Sequence, residues 1–344
     1  MLLKSIILGL VQGLTEFLPV SSSGHLVVSK AFMDLNTQGV VWEISLHFGT
    51  LLAIFGVFYK DIGLIIKGVC ISCKRVFYRE KCIDVYRSDF HTRLFVLLLI
   101  GTLPTAVIAI LFKDLFEELF EKPALVGVML MVTGTVLWFT RWSFKTEGGS
   151  NDLVVFSALI IGAVQGLAIT PGISRAGTTI AAAIFMGVDR GMAARFSFLL
   201  SIPAILGGMV LMLKDPITLT SDEVSFLLIG SAVAAISGYI SLRCLIKISS
   251  IGKLHLFSYY CWPLGLFTIL FLCESCTTKY ENPFLGKWNG VEIESKNLIE
   301  KTNLNFTLDF LNDKDMTFDI VRENNVFMSE NYNYVYNEFD SLIV

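Results

Sequence analysis

The chain has 344 residues, of which 54% are hydrophobic and only 17% are charged, and its formal net charge is −3. Because a soluble domain carries roughly 25% charged residues, this composition excludes a soluble enzyme of this size. It also excludes a disordered chain, collagen and a disulfide-stapled mini-protein. The apolar residues occur in runs of about 20, the length that crosses a hydrocarbon core of about 30 Å. The sequence therefore predicts a polytopic membrane protein.

The charges divide the chain into two parts. Residues 1–276 carry 21 basic and 18 acidic side chains, whereas residues 277–344 carry 6 and 12. The first part is a slightly basic membrane body, and the second is an acidic, polar tail. The seven cysteines show neither a disulfide nor a zinc-binding pattern.

Two apolar segments of the membrane body, 2–30 and 153–188, are interrupted by Pro, Gly, Ser and an ionisable residue. Irregular backbone at membrane depth is tolerated only where it is buried in protein or lines a cavity. Each segment therefore predicts a re-entrant hairpin of helix, polar loop and helix. Six uninterrupted runs are predicted to span the membrane, at 42–59, 93–112, 124–140, 196–213, 225–243 and 254–273.

The two hairpin segments resemble each other. Residues 9–24 and 162–177 share seven identities in sixteen positions at an offset of 153, including Gly-x-Val-Gln-Gly-Leu. The body is thus predicted to be two repeats, about 1–140 and 153–273, each a hairpin plus three transmembrane helices. Since three spans is an odd number, the second repeat must be inverted, an arrangement that builds sites near the bilayer midplane.

The distribution of lysine and arginine predicts the orientation. Segment 60–93 holds eight basic residues, and basic loops stay cytoplasmic. Placing this segment on the cytoplasmic side puts segments 113–123 and 214–224 on the outer side of the membrane. The first hairpin then enters from the outer face and the second from the inner face, and the tail emerges on the outer face.

The first hairpin carries an acid, hydroxyls and an imidazole at membrane depth. Gln12 and Glu16 are four residues apart and share a helix face. Ionisable residues in membrane segments are costly, so they are functional candidates by default. The alternative is that Glu16 only joins helices and that His25 is a satisfied buried imidazole. The motif reads Gln12-Gly-Leu-Thr-Glu16-Phe-Leu-Pro19-Val-Ser21-Ser22-Ser23-Gly24-His25.

The second hairpin carries one cation among hydroxyls and glycines. The guanidinium of Arg175 matches phosphate oxygens, and the N–H groups at the start of the following helix add a positive end. The alternative is a buried Glu16–Arg175 ion pair that only fixes the fold. If the hairpins meet, an acid, an imidazole, hydroxyls and an arginine form a phosphoryl-transfer constellation. This motif reads Thr170-Pro-Gly172-Ile-Ser174-Arg175-Ala176-Gly177-Thr178-Thr179.

Over roughly residues 1–275, both motifs resemble those of the undecaprenyl-diphosphate phosphatases, also called bacitracin-resistance proteins. The family signatures are (Glu/Gln)-x-x-x-Glu with Phe-Leu-Pro-Val-Ser-Ser and Gly-His, and Pro-Gly-x-Ser-Arg-Ser-x-x-Thr. The resemblance implies hydrolysis of undecaprenyl diphosphate to the monophosphate, which is reused as the cell-wall lipid carrier, and bacitracin resistance. It also implies a bacterial plasma membrane location, a site open to the outer face and a divalent cation, Mg²⁺ or Ca²⁺.

From the residues of these motifs we infer a hypothetical mechanism with roles for individual residues. Ser22 is the expected nucleophile, with His25 a rival nucleophile or the general acid, and Ala176 departs from the family's usual serine. Glu16, helped by Gln12, is expected to hold the metal ion or to act as the base. The expected catalytic residues are Glu16, Ser22, His25 and Arg175, and the expected substrate-binding residues are Gln12, Ser21, Ser23, Gly172, Ser174, Gly177, Thr178 and Thr179.

A polyprenyl-phosphate flippase or small-molecule transporter is the alternative function, because inverted repeats with broken helices favour that class too. The hydroxyl cluster opposite Arg175 favours hydrolysis, since transport needs a charge and a cavity but no nucleophile. The expected partners are the polyprenyl diphosphate lipid and the bilayer. No nucleic acid is expected, and homo-oligomerisation is left open.

The tail, residues 277–344, lies outside the resemblance. Apolar and polar residues alternate at 304–310, 316–320 and 332–336, and a period of two predicts strands. The stretch that begins at Gly286 is weakly similar to small lipocalin-like β-domains. The sequence therefore predicts a small β-rich extracytoplasmic appendage to an all-α membrane domain.

Overall fold

A computed structural model describes residues 2–33, 39–120, 122–143, 153–212, 221–278, 286–289, 305–310, 315–322 and 325–333. The chain divides into two compact units, Met1–Cys273 and Glu274–Val344. In its described residues the first unit is helical, and its last helix continues beyond Cys273.

The helices of the first unit follow the apolar runs and the two interrupted segments of the sequence. Short 3-10 turns at Thr140–Trp142 and Leu254–Phe257 follow α7 and precede α12. The helices are α1 (Leu2–Phe17), α2 (Ser22–Met33), α3 (Gly39–Phe77), α4 (Cys82–Ser88), α5 (Phe90–Leu111), α6 (Lys113–Phe120), α7 (Pro123–Phe139), α8 (Val155–Leu167), α9 (Arg175–Phe185), α10 (Arg190–Met212), α11 (Ser221–Ile251) and α12 (Ser258–Thr278).

Five stretches of the described chain are long and apolar enough to cross a bilayer, so the protein is a multi-pass membrane protein. They overlap the first five predicted spans, and the sixth, 254–273, falls on a shorter apolar helical stretch, Leu254–Leu270. The five are Ile44–Phe77, Phe90–Leu111, Ala124–Trp142, Arg190–Val210 and Glu223–Ile251.

The expectation of a loop at 60–93 is wrong for most of that segment. Helix α3 continues to Phe77, and α4 occupies Cys82–Ser88. The basic residues of this segment are good helix formers, so a charged stretch prolongs the apolar helix instead of ending it. A backbone irregularity at Phe58 (φ −101°, ψ 19°) marks the place where the apolar part gives way to the basic part.

Both interrupted segments form a helix, a short loop and a second helix. In the first, residues 18–21 join α1 to α2, and Ser21 has a φ of +68°, which is unusual for a residue other than glycine. In the second, residues 168–174 join α8 to α9, and Gly172 has a φ of +91°. A Cβ at Gly172 would collide with the Val126 carbonyl of α7, so glycine is required there.

Glycines set the packing of the first helix of each hairpin. Helix α1 packs against α11, where a Cβ on Gly9 would lie 2.5 Å from the Gly230 carbonyl oxygen. Helix α8 packs against α5, where Gly162 touches the Gly101 carbonyl. Small residues let membrane helices approach closely and pack well. Such packing is important because lipid supplies little hydrophobic drive to bring helices together.

Hydroxyl groups reinforce both helix contacts. Ser241 of α11 donates to the Gly13 carbonyl at 2.8 Å, and Thr105 of α5 donates to the Gly162 carbonyl at 2.7 Å. The two hairpins are therefore held in the same manner, each by a long helix from the other half of the chain.

An apolar core lies directly behind the first hairpin loop. Phe17, Phe196 and Phe198 are almost fully buried, and the rings of Phe17 and Phe198 meet edge to face at 5.8 Å. Such aromatic pairs prefer edge-to-face geometry and add to the stabilisation from burial. Because Phe17 follows Glu16 directly, this core fixes the end of α1 that carries the acid.

The second unit contains four strands in its described residues, β1 (Gly286–Asn289), β2 (Asn305–Phe310), β3 (Asp315–Arg322) and β4 (Asn325–Asn333). They form one antiparallel sheet in the order β1-β2-β3-β4, with Leu308 opposite Phe318 and an irregularity between Ile320 and Val321. The predicted alternation at 332–336 lies outside the described residues from position 334 onward.

The close glycine contact of α8 with α5 predicts a difference between two Gly→Ala substitutions. Gly162→Ala should lower the melting temperature of the detergent-solubilised protein, because the new methyl group meets the Gly101 carbonyl and overpacking costs about 1–3 kcal/mol. Gly63→Ala on α3 is the matched control, since its Cβ meets no atom within 4 Å. Equal melting temperatures for both variants would contradict the packing described here.

Candidate active site

Glu16 lies at the centre of the contact between the two hairpins. It is the penultimate residue of α1, and its side chain is 3% exposed. Its Oε1 accepts a hydrogen bond from Nη2 of Arg175 in an ion pair whose arginine side chain is 23% exposed. The backbones also approach here, since a Cβ on Gly177 would lie 2.9 Å from the Cβ of Pro19. The predicted meeting of the hairpins is present in the structure.

The second carboxylate oxygen of Glu16 accepts two further hydrogen bonds. Gln12 donates through Nε2 at 2.9 Å, and the Ser22 hydroxyl donates at 2.6 Å. The spacing of Gln12 and Glu16 on one helix face brings the first donor, and the turn at 18–21 brings the second. A hydroxyl donating to a buried carboxylate is the geometry of a nucleophile beside its base.

Two helices begin at residues whose side chains bond to this carboxylate. Helix α2 begins at Ser22, and α9 begins at Arg175 with Ser174 as its N-cap, whose hydroxyl accepts from the Gly177 N–H at 3.1 Å. The exposed N–H groups and positive end of a helix N-terminus favour an anion. The site thus combines one guanidinium with the N-termini of two helices.

The second hairpin loop is held in place by Thr133 of α7, a residue that sequence reasoning missed. Its hydroxyl donates to the Gly172 carbonyl at 2.9 Å and accepts from the Ser174 N–H at 3.0 Å. Thr133 is fully buried. Only its place in an apolar run distinguishes it in sequence, and that signal is too weak to assign a role.

A cavity of about 210 Å³ opens beside the ion pair. Its polar side includes Glu16, Ser22 and Arg175, together with His47 of α3. Its apolar side is formed by α3, α6, the second hairpin loop and α10, including Ile44, Phe120, Ile169, Ile173, Ile205 and Met209. The cavity therefore has a charged end and an extended apolar wall.

The predicted imidazole of the site, His25, does not line this cavity. Its Nδ1 donates to the Ser21 carbonyl at 2.7 Å, and its Nε2 accepts from the Tyr260 hydroxyl at 2.8 Å, with the two rings stacked. The imidazole beside Glu16 is His47, whose Nδ1 lies 3.8 Å from Glu16 Oε2. The expectation that His25 faces the acid and arginine is therefore wrong in geometry, and His47 was missed although it is an ionisable residue inside a predicted span.

Several other predicted site hydroxyls bond mainly to the protein. Thr178 donates to the Ser174 carbonyl at 2.8 Å, and Thr179 donates to the Arg175 carbonyl at 2.7 Å and contacts the Ser197 hydroxyl. Ser21 and Ser23 share a hydrogen bond of 3.2 Å and both line the cavity. Their roles toward substrate stay predictions.

Ala176 lines a second, much smaller cavity behind the ion pair. Its volume is about 10 Å³, which is close to the room that one water molecule needs. The hydroxyls of Ser197 and Ser201 also line it.

The donor set suits a hard divalent cation. The buried Oε1 of Gln12 has no hydrogen-bond partner in the described structure, and it lies on the residue that contacts Glu16. Mg²⁺ and Ca²⁺ prefer oxygen ligands, and Mg²⁺ is commonly held by one or two carboxylates plus substrate phosphates. Among the described residues no group of three His, Cys, Asp or Glu could hold a metal alone. A cation here would need oxygens from a bound phosphate.

Comparison with known proteins places this site in a family. Residues 5–267 match the family described as bacitracin resistance protein BacA. An undecaprenyl-diphosphatase of Desulfatibacillum aliphaticivorans is 44% identical over 265 residues, covering 76% of this chain and 96% of the relative. The undecaprenyl-diphosphatase of Desulforapulum autotrophicum is 43% identical and covers 78% of this chain and 98% of the relative. The undecaprenyl-diphosphatase of Methanosphaera stadtmanae is 41% identical and covers 78% of this chain and 97% of the relative.

The matched region contains both hairpins, the ion pair and the cavity, and the relatives are similar over nearly their whole length. The chain belongs to the bacitracin resistance protein BacA family.

Proposed function

We propose that this protein hydrolyses undecaprenyl diphosphate to undecaprenyl monophosphate and phosphate, and so recycles the lipid carrier of cell-wall synthesis and confers bacitracin resistance. Family membership and the names of the relatives support this proposal. The observation that carries it is the junction of Ser22, Glu16 and Arg175 at the charged end of a cavity with an apolar wall.

Diphosphate binding uses the ion pair between Glu16 and Arg175. Arg175 exchanges the Glu16 carboxylate for phosphate oxygens, which its planar fork matches, and its attraction to them is strengthened by the low dielectric around it. Ser22 and Arg175, the first residues of α2 and α9, line the cavity, and a helix N-terminus favours an anion. The exchange also frees Glu16 to accept a proton.

Phosphoryl transfer then proceeds from Ser22. Its hydroxyl, 2.6 Å from Glu16 Oε2, gives its proton to the carboxylate as its oxygen attacks the terminal phosphorus. The bond from that phosphorus to the bridging oxygen breaks, and undecaprenyl monophosphate leaves with the electron pair. Water then cleaves the phosphoserine ester, which releases phosphate and restores the hydroxyl.

A divalent cation fits this scheme at Gln12 and Glu16. The unpartnered Oε1 of Gln12 and the carboxylate are the oxygens that would hold it, and phosphate oxygens would complete its shell. When bound, the cation offsets the negative charge that develops on the transferred phosphoryl group.

The apolar wall of the cavity suits the polyprenyl chain. Side chains such as Ile44, Phe120 and Met209 line the same cavity as Arg175, so the first isoprene units contact apolar side chains while the diphosphate faces Arg175. A diphosphate without an apolar chain would gain no binding free energy from such a wall, because that gain comes from burying apolar surface of the ligand.

The architecture proposed with this function is a pair of inverted repeats. Helix α1 packs on α11, and its counterpart α8 packs on α5. Helix α11 packs on α3, and its counterpart α5 packs on α10. Equivalent helices of the two halves therefore make equivalent contacts. With basic loops inside, the site opens toward the outer face of the bacterial plasma membrane. The tail, proposed as a β-rich appendage on the strength of its four strands, then lies outside.

Removing either charge of the central pair should abolish most of the activity. Glu16→Gln and Arg175→Ala are each expected to reduce phosphate release from farnesyl diphosphate in detergent by at least about 100-fold, because each removes a charge that acts in the transition state. Arg195→Ala is the matched control, since Arg195 pairs with Asp61 and does not line the cavity. Near wild-type rates of phosphate release in both site variants would contradict the proposed function.

The covalent intermediate should form on Ser22. Acid quenching of the enzyme with terminally labelled farnesyl diphosphate should trap an acid-stable phosphoserine that Ser22→Ala lacks, because Ser22 is the hydroxyl bonded to Glu16. An acid-labile phosphoenzyme that persists in Ser22→Ala and disappears in His25→Ala would make His25 the nucleophile. That result would require His25 to leave Tyr260.

A further inference from the structure

His47 of α3 is the imidazole in direct contact with the active-site carboxyl network. Its Nδ1 lies 3.1 Å from Gln12 Nε2 and 3.8 Å from Glu16 Oε2. Its side chain is 31% exposed and lines the cavity with Arg175. No role has been assigned to it in the scheme above.

The neighbours of His47 fix where its proton resides. The ionised Glu16 carboxylate only accepts hydrogen bonds, so the Gln12 atom 2.9 Å from Oε2 must be the amide nitrogen. That nitrogen carries two hydrogens, and the second is directed to Nδ1 of His47 at 3.1 Å. Nδ1 is therefore an acceptor, and the neutral ring carries its proton on Nε2.

His25 has the opposite arrangement. Its Nδ1 donates to the Ser21 carbonyl, and its Nε2 accepts from Tyr260, so both nitrogens are engaged. Nε2 of His47, in contrast, has no hydrogen-bond partner within the described ranges of the chain. Of these two histidines, His47 is the one that holds an N–H available at the cavity.

We propose that His47 is a substrate-binding residue that donates a hydrogen bond from Nε2 to a phosphate oxygen in the cavity, with Gln12 fixing the required tautomer. This inference rests on the proposed function and adds a neutral donor to the charged contact from Arg175. The amide nitrogen of Gln12 then has two partners, Glu16 and His47. A glutamate at position 12, the other residue in the family motif, would present an acceptor to Nδ1 and would require a proton there.

Nuclear magnetic resonance tests the tautomer directly. In protein labelled with ¹⁵N-histidine, His47 should show a protonated Nε2 and an unprotonated Nδ1, and inorganic phosphate should shift the Nε2 signal. Gln12→Glu should move a proton to Nδ1. His47→Gln identifies the signals among the four histidines of the chain. A His47 ring protonated on Nδ1 in the wild type, or an Nε2 signal that phosphate leaves unchanged, would overturn the proposal.

Kinetics tests the contact with substrate. His47→Phe keeps a ring but removes the donor, so it should raise the KM for farnesyl diphosphate and the inhibition constant of inorganic phosphate by about 10- to 100-fold. His47→Gln, whose amide can both donate and accept, should recover most of this loss. His91→Phe is the matched control, since His91 lies outside the cavity lining.

The outcomes separate this inference from the proposed function. A wild-type enzyme that releases phosphate, with unchanged constants in His47→Phe, would overturn the role of His47 alone. A wild-type protein that releases no phosphate would overturn the proposed function, and the resonance experiment with inorganic phosphate would still decide whether His47 contacts the anion. If His47→Phe fails to fold, the wild-type resonances and His47→Gln decide the question.

Discussion

The ion pair between the buried Glu16 and the partly buried Arg175 is the interaction on which the rest of the structure depends. Two charges at membrane depth are expensive, and either one alone would be left uncompensated. The pair is built from the end of one broken helix and the start of another, 159 residues apart in sequence. Every feature that holds the two hairpins together therefore also maintains this contact.

Three kinds of support hold the pair. Glycine contacts bring α1 against α11 and α8 against α5, so that each hairpin packs on a helix of the other half. The hydroxyl of Thr133 fixes the loop that precedes Arg175. The buried rings around Phe17 fix the end of α1. A site assembled in this way is pre-organised. In the proposed mechanism an incoming phosphate therefore replaces one oxygen partner of Arg175 with another and requires little rearrangement.

Much of this arrangement could be predicted from sequence, because its signals are local. Pro19, Gly172 and the serines interrupt apolar runs, which marks the hairpin loops, and the spacing of Gln12 and Glu16 puts them on one face. The positions of His25 and His47 could not be predicted in this way. Tyr260, which engages His25, is 235 residues away, and His47 lies in an apolar run whose pattern does not reveal the direction of one side chain. The extension of α3 to Phe77 could not be predicted either, because the basic residues that favour a cytoplasmic loop are also good helix formers.

The central claim is that the junction of Glu16, Ser22 and Arg175 is a diphosphate-hydrolysing site that works with a cation held by oxygen ligands. Phosphate release from undecaprenyl diphosphate by the purified protein, measured in detergent with and without EDTA, tests it most directly. The expected result is steady release that EDTA stops and that added Mg²⁺ or Ca²⁺ restores. An absence of release in detergent with either cation would contradict it, because transport has no meaning there and only hydrolysis can be observed.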